Sequence, residues 1–406
     1  VSEILFISHR IPFPPDRGDK IRSHNVLKHL AGLAPVHVAT FADDALDYAE
    51  QGALAGVAAS HCLVHRSKPL PLAAAAAMLT GKPISLTAFH STALAGYIRK
   101  VLATRPITTI YVFSGQMGQY VPEDFKGRVI ADFVDVDSAK FEAYASRDGG
   151  LKAWAEKREG RLLRAEETRF ARRADVSLLI SDEEAALFRS RAEGNDSVRT
   201  LANGIDSVVF DPSSVRPEPQ LASLPYPRLI FTGQMDYAPN VDACVRAVTR
   251  ILPRIREAFP QASFHVVGRN PADRVSALGG DGVHVWGRVP DVQPWLAASD
   301  LALVPLEIGR GVQNKVLEAM AMALPVVLTP EAATGIAARD GAELSIASDD
   351  DALAAACIAL LQDRPRAQAM GRAAREHVVQ NASWPAALAD LDQLVGLPTA
   401  EARDAA

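Results

Sequence analysis

The chain has 406 residues, 48% of them apolar and 22% charged; at roughly 150 residues per domain this predicts two or three folded domains and excludes wholesale disorder. Its 43 basic and 48 acidic side chains give a net charge of −5, so no global positive field exists to hold a nucleic acid and no nucleic-acid partner is expected. Cys62, Cys244 and Cys357 stand far apart, which suggests neither a disulfide framework nor a thiolate metal site and fits a reducing cytoplasm.

In chain order, the N-terminus runs straight into Ile-Leu-Phe-Ile-Ser and reads as a first strand, not a signal peptide. No run reaches the roughly 18 uninterrupted apolar residues of a membrane span. The longest candidate is 70–79, with five alanines. Short β-branched runs predict strands at 4–8, 36–41, 108–113, 129–133 and 176–181, then at 229–233, 264–268, 283–286, 301–305 and 326–329. Helical patterns separate most of them. The clearest is 240–259, where Val241, Cys244, Val245, Val248, Leu252 and Ile255 recur at helical spacing after Asn240, a residue able to cap the N-terminus. Strands apolar on both faces and alternating with helices imply parallel sheets covered by helices, an α/β architecture formed twice.

The segment 203–227 packs five prolines into a stretch without periodicity and marks the boundary. We therefore expect an N-terminal Rossmann-like domain over 1–205, a C-terminal one over 206–380, and a C-terminal helix over 381–397 that carries Trp384, Leu388, Leu391 and Leu394. Two such domains facing one another would form a central cleft at the C-terminal ends of their strands.

The densest chemistry lies in 305–325, PLEIGRGVQNKVLEAMAMALP. A strand ends at Pro305, a loop carries Arg310 and Gly311, and a helix begins near Gln313 with Val316, Leu317, Met320 and Ala321 on its buried face. Unpaired N–H groups and the positive end of the helix dipole point into such a loop, and a glycine there lets a phosphate approach the backbone. Arg310 and Lys315 add positive charge, the arginine as a fork able to hold a diphosphate. Glu318, one turn into the helix, can accept two hydrogen bonds from a ribose diol. The competing reading is an ordinary i, i+3 surface pair of Lys315 with Glu318 and a solvated Arg310.

A second cluster, Arg17, Gly18, Asp19, Lys20 and Arg22, follows the first strand. Pro12, Pro14 and Pro15 stiffen the approach, and a helix from about Asp19 turns its N-terminus toward the loop. A solvated charged cap is the alternative. Asp135-Val136-Asp137 imitates a metal-binding D-x-D, yet alternating aspartates at a strand end are common and no His or Cys stands beside them, so no metal is expected. Residues 152–173 carry eight basic and four acidic side chains. Glu156, Glu159, Glu166 and Glu167 dilute that charge, which favours a long solvated helix over a surface lying on anionic lipid. Gly268-Arg269-Asn270 is no G-x-G-x-x-G, which argues against a dinucleotide-dependent dehydrogenase.

The run GRGVQNKVLEAMAMALPVV at 309–327 resembles the donor-binding segment of retaining glycosyltransferases of family four, which have the two-Rossmann GT-B fold. Other landmarks follow that family's order: SHRIPFPPDRGDKIRSHNVLKHLA at 8–31, LISDEEAALF at 179–188, LANGIDSVVFDP at 201–212, LIFTGQMDYAPNVDA at 229–243, FHVVGRNP at 264–271 and VHVWGRVPDVQPWLAASDLALVP at 283–305. With DFVDVDS at 132–138, the chain is similar to the sugar transferases associated with bacterial PEP-CTERM and exosortase exopolysaccharide systems.

The resemblance implies a retaining, metal-independent glycosyltransferase of exopolysaccharide biosynthesis, moving a sugar from a nucleoside diphosphate sugar to a saccharide or lipid-linked acceptor. No cofactor beyond the donor substrate is implied. Carried over residue by residue, it assigns catalysis to Arg310, Lys315 and Asp135. Donor binding falls to Gly233, Gln234, Arg269, Arg288, Val289, Gly311, Val312, Gln313, Asn314 and Glu318, with the base near Arg288 and Val289. Arg17, Gly18, Asp19 and Lys20 form the acceptor or phosphate loop. The expected location is cytoplasmic, with peripheral contact at the inner membrane face as the one membrane association considered. Three departures stand out. The family's Glu eight residues before Glu318 is Arg310 here, its G-R-x4-K element appears as Gly233, Gln234 and Pro239 without either base, and its sugar-side His is Val134. A nucleotide-sugar epimerase of the same fold and a non-catalytic binding subunit are the alternatives.

Overall fold

The structure is a computed structural model that describes residues 2–66, 69–146, 150–192, 197–309 and 311–396. It divides into two compact units: the described residues up to Asn203 with those from Leu388 onward, and Gly204–Ala387.

The first unit is built on β1 (Glu3–Ser8), β2 (Val36–Ala42), β3 (Ser60–His65), β4 (Ile107–Phe113), β5 (Arg128–Val134), β6 (Val176–Leu179) and β7 (Val198–Thr200). All are parallel, in the order β3-β2-β1-β4-β5-β6-β7. The second unit holds β8 (Arg228–Thr232), β9 (Ser263–Val267), β10 (Val283–Gly287), β11 (Leu301–Val304), β12 (Val326–Leu328) and β13 (Ser345–Ile346), parallel in the order β10-β9-β8-β11-β12-β13. This second order is that of a doubly wound dinucleotide fold, and the first extends it by one strand. In each sheet the winding reverses beside the first strand, between β1 and β4 and between β8 and β11. Connections leaving the C-terminal ends of those strands diverge to opposite faces, and the gap between them is where such sheets bind ligands.

Hydrophobicity explains which strands are legible. β1 and β2 are buried along their whole length, as central parallel strands must be. β3, β7 and β13, absent from the sequence reading, are an edge strand with only one buried residue and two runs of three and two residues. They owe their place to a neighbouring ladder more than to their own composition.

Two helical expectations are corrected. The pattern at 240–259 resolves into Ala238–Arg246, a π-helical turn at Ala247–Ile251, and Leu252–Ala258. Pro239 opens the first piece and Pro253 interrupts the backbone ladder further on. Asn240 is therefore inside the helix and buried, not its cap. The expected helix over 381–397 is two short ones, Trp384–Ala387 and Leu391–Leu394. The first stays with the second unit, where Ser383 bridges Ile205. The second packs on the first unit: the Thr109 hydroxyl donates to the Val395 carbonyl at 3.0 Å, and His29 meets Asp392 at 2.7 Å.

Candidate functional site

At the switch point of the second sheet, β8 runs into Gly233, whose φ of +149° lies in a region open to glycine. A Cβ there would come within 3.0 Å of Asn240 Nδ2 and 3.3 Å of Lys315 Cε, so the missing side chain is what lets these two residues close over the strand end. Gly268, at the end of β9, lies so near that a Cβ would strike the Gly233 carbonyl.

Lys315 belongs to the first turn of the helix Asn314–Ala321, which follows β11 and is opened by Gln313. Its Nζ donates to Asn240 Oδ1 at 2.5 Å and lies 4.9 Å from the centroid of the Phe231 ring. Asn240 Nδ2 in turn donates to the Gln234 carbonyl at 2.8 Å, which fixes the amide and aims its oxygen at the lysine. Burial pushes the Lys315 ammonium down to about 8, partly opposed by Cys244 and Glu318. Glu318 is half-buried one turn later, and burial pushes its carboxyl up to about 6 against the pull of Lys315. The two form no ion pair within 4.0 Å, so the surface-pair alternative does not describe them. Among the described residues no hydrogen-bond donor reaches the Glu318 carboxylate.

The loop before this helix is shaped by close approach. A Cβ on Gly309 would lie 2.0 Å from the Glu331 carbonyl, and Gly311 has a φ of +63°. Val312 is exposed, and the Gln313 side chain donates to the Gly311 carbonyl at 3.1 Å. Arg310 lies outside the described residues. At the start of the helix the first backbone N–H groups lack intrahelical acceptors. Around Gly233, the exposed Arg269 donates to Gln234 Oε1 at 2.9 Å. Arg288 and Val289 follow β10, two strands from β8, a separation of about 10 Å. On β9, β10 and the short helix Gln293–Ala297, His265, His284, Trp286 and Trp295 form a row of rings with centroid spacings of 5.0, 5.5 and 4.7 Å, the last pair tilted. Trp286 Nε1 donates to His265 Nδ1 at 3.2 Å. Burial, then His284 and Arg228, push His265 down to about 3, so it sits among these rings as a neutral one.

The sequence reading thus names Gly233 and Lys315, which touch, and Glu318, one turn on. It misses Asn240 and Phe231, which hold the lysine. The signal for Asn240 was a polar residue at a buried position just after a strand-end loop. A cavity of 390 Å³ near Tyr226 and Leu324 opens at the N-terminal ends of β11 and β12 and touches none of these groups.

The first unit's switch point is wired differently. Asp19 accepts a hydrogen bond from Arg10, and His9 Nε2 lies 3.3 Å away. Burial would raise this carboxyl, but His9 and Arg10 outweigh it and hold it well below the usual carboxylate range. Arg10 also bonds Asp43 at 2.5 Å. Lys20 is buried, donating to Asp47 at 2.5 Å and to the Phe13 carbonyl at 3.1 Å, so its charge is spent within the fold. Arg22 is fully buried and grips Asp132 with two bonds of 3.0 Å, while the Tyr111 hydroxyl donates to the same carboxylate at 2.7 Å. Arg17 keeps 46% of its side chain exposed and lies 3.8 Å from Asp19 and from Asp43. A Cβ on Gly18 would meet nothing within 4 Å. Asp135 is bound by Lys140 at 2.7 Å, and the same ammonium reaches Asp137 at 3.4 Å. Glu184 pins this loop by accepting from the Val136 N–H at 2.8 Å.

Two Rossmann-like sheets, each with a crevice at its switch point, define the GT-B fold. Solved structures with this fold align along the whole chain. HepE of Anabaena in complex with UDP and glucose is 14% identical over 98% of this chain and 100% of that one, with a TM-score of 0.60. Sucrose-phosphate synthase of Thermosynechococcus elongatus is 17% identical over 100% of both, also at 0.60. WaaG, a glycosyltransferase involved in lipopolysaccharide biosynthesis, is 17% identical over 97% of this chain and 100% of that one, at 0.56. Residues 226–363 match the family profile described as Glycosyl transferases group 1, so the second unit carries a glycosyltransferase domain. That stretch holds Gly233, Asn240, Lys315 and Glu318. No protein of curated function matches the chain. Among the described residues no helix is long and apolar enough to cross a membrane.

Proposed function

We propose that the protein is a retaining, metal-independent glycosyltransferase that moves a sugar from a nucleoside diphosphate donor to a saccharide or lipid-linked acceptor in exopolysaccharide biosynthesis. The observation that carries this reading is Lys315: a lysine pushed down to about 8 by burial, fixed by Asn240, at the start of a helix on the switch point of a matched glycosyltransferase domain. A half-buried ammonium with one hydrogen bond made and two donors to spare favours an anion beside it. The complexes of HepE with UDP and with UDP-glucose support a diphosphate as that anion.

In this reading Lys315 and the N–H groups of the helix Asn314–Ala321 face the diphosphate, and Glu318 accepts from the ribose diol. Arg288 and Val289 flank the base. As the sugar–phosphate bond lengthens, negative charge grows on the leaving phosphate. A lysine already desolvated and oriented stabilises that charge more than it stabilises the ground state, which is what lowers a barrier. The ammonium supplies the positive charge a metal would otherwise bring. Arg310 is a second proposed cation, and Asp135 and the Arg17–Lys20 loop are proposed for the acceptor side.

Calorimetric titration with UDP, GDP and ADP, followed by turnover of the matching nucleotide sugars, tests the reading. Binding of at least one diphosphate, weakened by Lys315→Ala and Glu318→Ala, is the expected result. A protein that binds none of them is not a transferase of this kind. One that consumes a donor with no acceptor present and releases an isomeric nucleotide sugar is an epimerase.

A further inference from the structure

The long helix Gly150–Ala171, with Arg172 and Arg173 directly after it, carries eight basic side chains in an acidic protein. By composition the four glutamates of this stretch neutralise half of those charges; in the fold they are turned inward. Glu159 is buried and accepts from the N–H groups of Ile84 at 2.7 Å and Ser85 at 2.9 Å. Glu167 is buried against the N–H and hydroxyl of Ser138 at 2.9 and 2.5 Å. Glu156 and Glu166 are half-buried, Glu156 at the edge of a 430 Å³ hollow and Glu166 paired with Arg169 at 2.8 Å.

The opposite side keeps its cations. Lys157, Arg161, Arg164 and Arg172 are exposed, and none makes an ion pair within 4.0 Å among the described residues. At 100° per residue they fall with Trp154 on one stripe, about 27 Å long at 1.5 Å per residue. Trp154 is 53% exposed. One turn on, Arg158 donates to the carbonyls of Ala77 at 3.0 Å and Lys82 at 3.4 Å, which ties in the end of a second helix, Leu70–Thr80. Among its described side chains that helix buries only Ala73 and Ala77, and it leaves Leu72 61%, Met78 48% and Leu79 89% exposed.

An apolar helix left in water beside a row of unpaired cations is costly on a free surface. Both features are explained by one occupant. We propose that this face of the first unit docks on an anionic lipid bilayer, with Leu72, Met78, Leu79 and Trp154 in the interfacial region and Lys157, Arg161, Arg164 and Arg172 on the headgroups. The net charge of −5 sharpens the argument, since an acidic protein is repelled by such a surface unless its cations are gathered on one side. The proposal stands apart from the nucleotide site and does not depend on it.

Co-sedimentation of the full chain with phosphatidylcholine vesicles, with and without phosphatidylglycerol, tests it. Binding is expected only with the anionic lipid. Each basic residue near the surface contributes about fivefold, so Lys157→Glu/Arg161→Glu/Arg164→Glu should weaken it by more than about a hundredfold. Leu72→Ser/Leu79→Ser should reduce vesicle binding while leaving retention on heparin unchanged. Nucleoside diphosphate binding and the thermal midpoint report the folding of each variant. Equal binding to neutral vesicles, or a triple variant that still sediments, overturns the proposal. So does vesicle binding that ignores the leucine changes, which would mark the stripe as a site for any polyanion.

Discussion

The two sheets share a topology and differ in how their switch points spend charge. At the end of β1 the charged groups satisfy one another: Asp19 takes Arg10 and His9, Lys20 takes Asp47, and Arg22 takes Asp132. At the end of β8, Lys315 has a single amide oxygen and Glu318 has no donor among the described residues. The first arrangement is stable as it stands. The second carries uncompensated desolvation, which moves both groups toward their neutral forms. The same fold therefore pairs its charges in one unit and leaves two of them unpaired in the other.

The most severe way to break this contrast is Asp132→Ala. It strands a fully buried guanidinium and should cost about 3–5 kcal/mol, visible as a large fall in the denaturation midpoint. Next comes Lys315→Met, which keeps the stem in contact with Phe231 and removes the charge. Stability at pH 7 should hold or rise, while diphosphate affinity falls about 10- to 100-fold by calorimetry, the worth of a charge-assisted hydrogen bond. Unchanged affinity would make Lys315 a packing residue.

A pH series sharpens the same site. Lys315 titrates lower in the fold than its ordinary 10.5, so its cost to stability is full below about 8 and relieved as pH climbs toward 10.5. Glu318 titrates above its ordinary 4.5, so its cost is absent below that value and complete above about 6. Ligand binding needs both charged. Diphosphate affinity should therefore rise through pH 6, hold, and fall above 8, and Lys315→Met should erase the upper limb only. The smallest effect is expected from Arg17→Ala, a half-exposed cation 3.8 Å from its acidic neighbours, at about 0–1 kcal/mol in stability.

Much of the molecule was legible before the fold was known. Nine of the ten strands read from the sequence carry their own signal because a central parallel strand is apolar on both faces; the tenth, β10, lies at a sheet edge. The loop and helix around Lys315 and Glu318 stand out because glycine, a base and a carboxylate crowd one helix start. Asn240 did not. Its sequence neighbourhood reads as a cap, and its role appears only when β8 and the helix after β11 are brought side by side, 75 residues apart in the chain. Lys20 and Arg22 mislead for the same reason, since a basic residue after a first strand looks free until Asp47 and Asp132 are folded against it.

The amino-acid sequence by itself determined the α/β class, the two-domain division and the loop-to-helix element around Lys315, because periodicity, proline content and helix-start chemistry are local properties. Only the tertiary structure decided which charges are neutralised. Glu156, Glu159, Glu166 and Glu167 lie on the same helix as Lys157, Arg161 and Arg164, and composition counts them together. Electrostatics acts through space, and the fold sends one set inward and the other out.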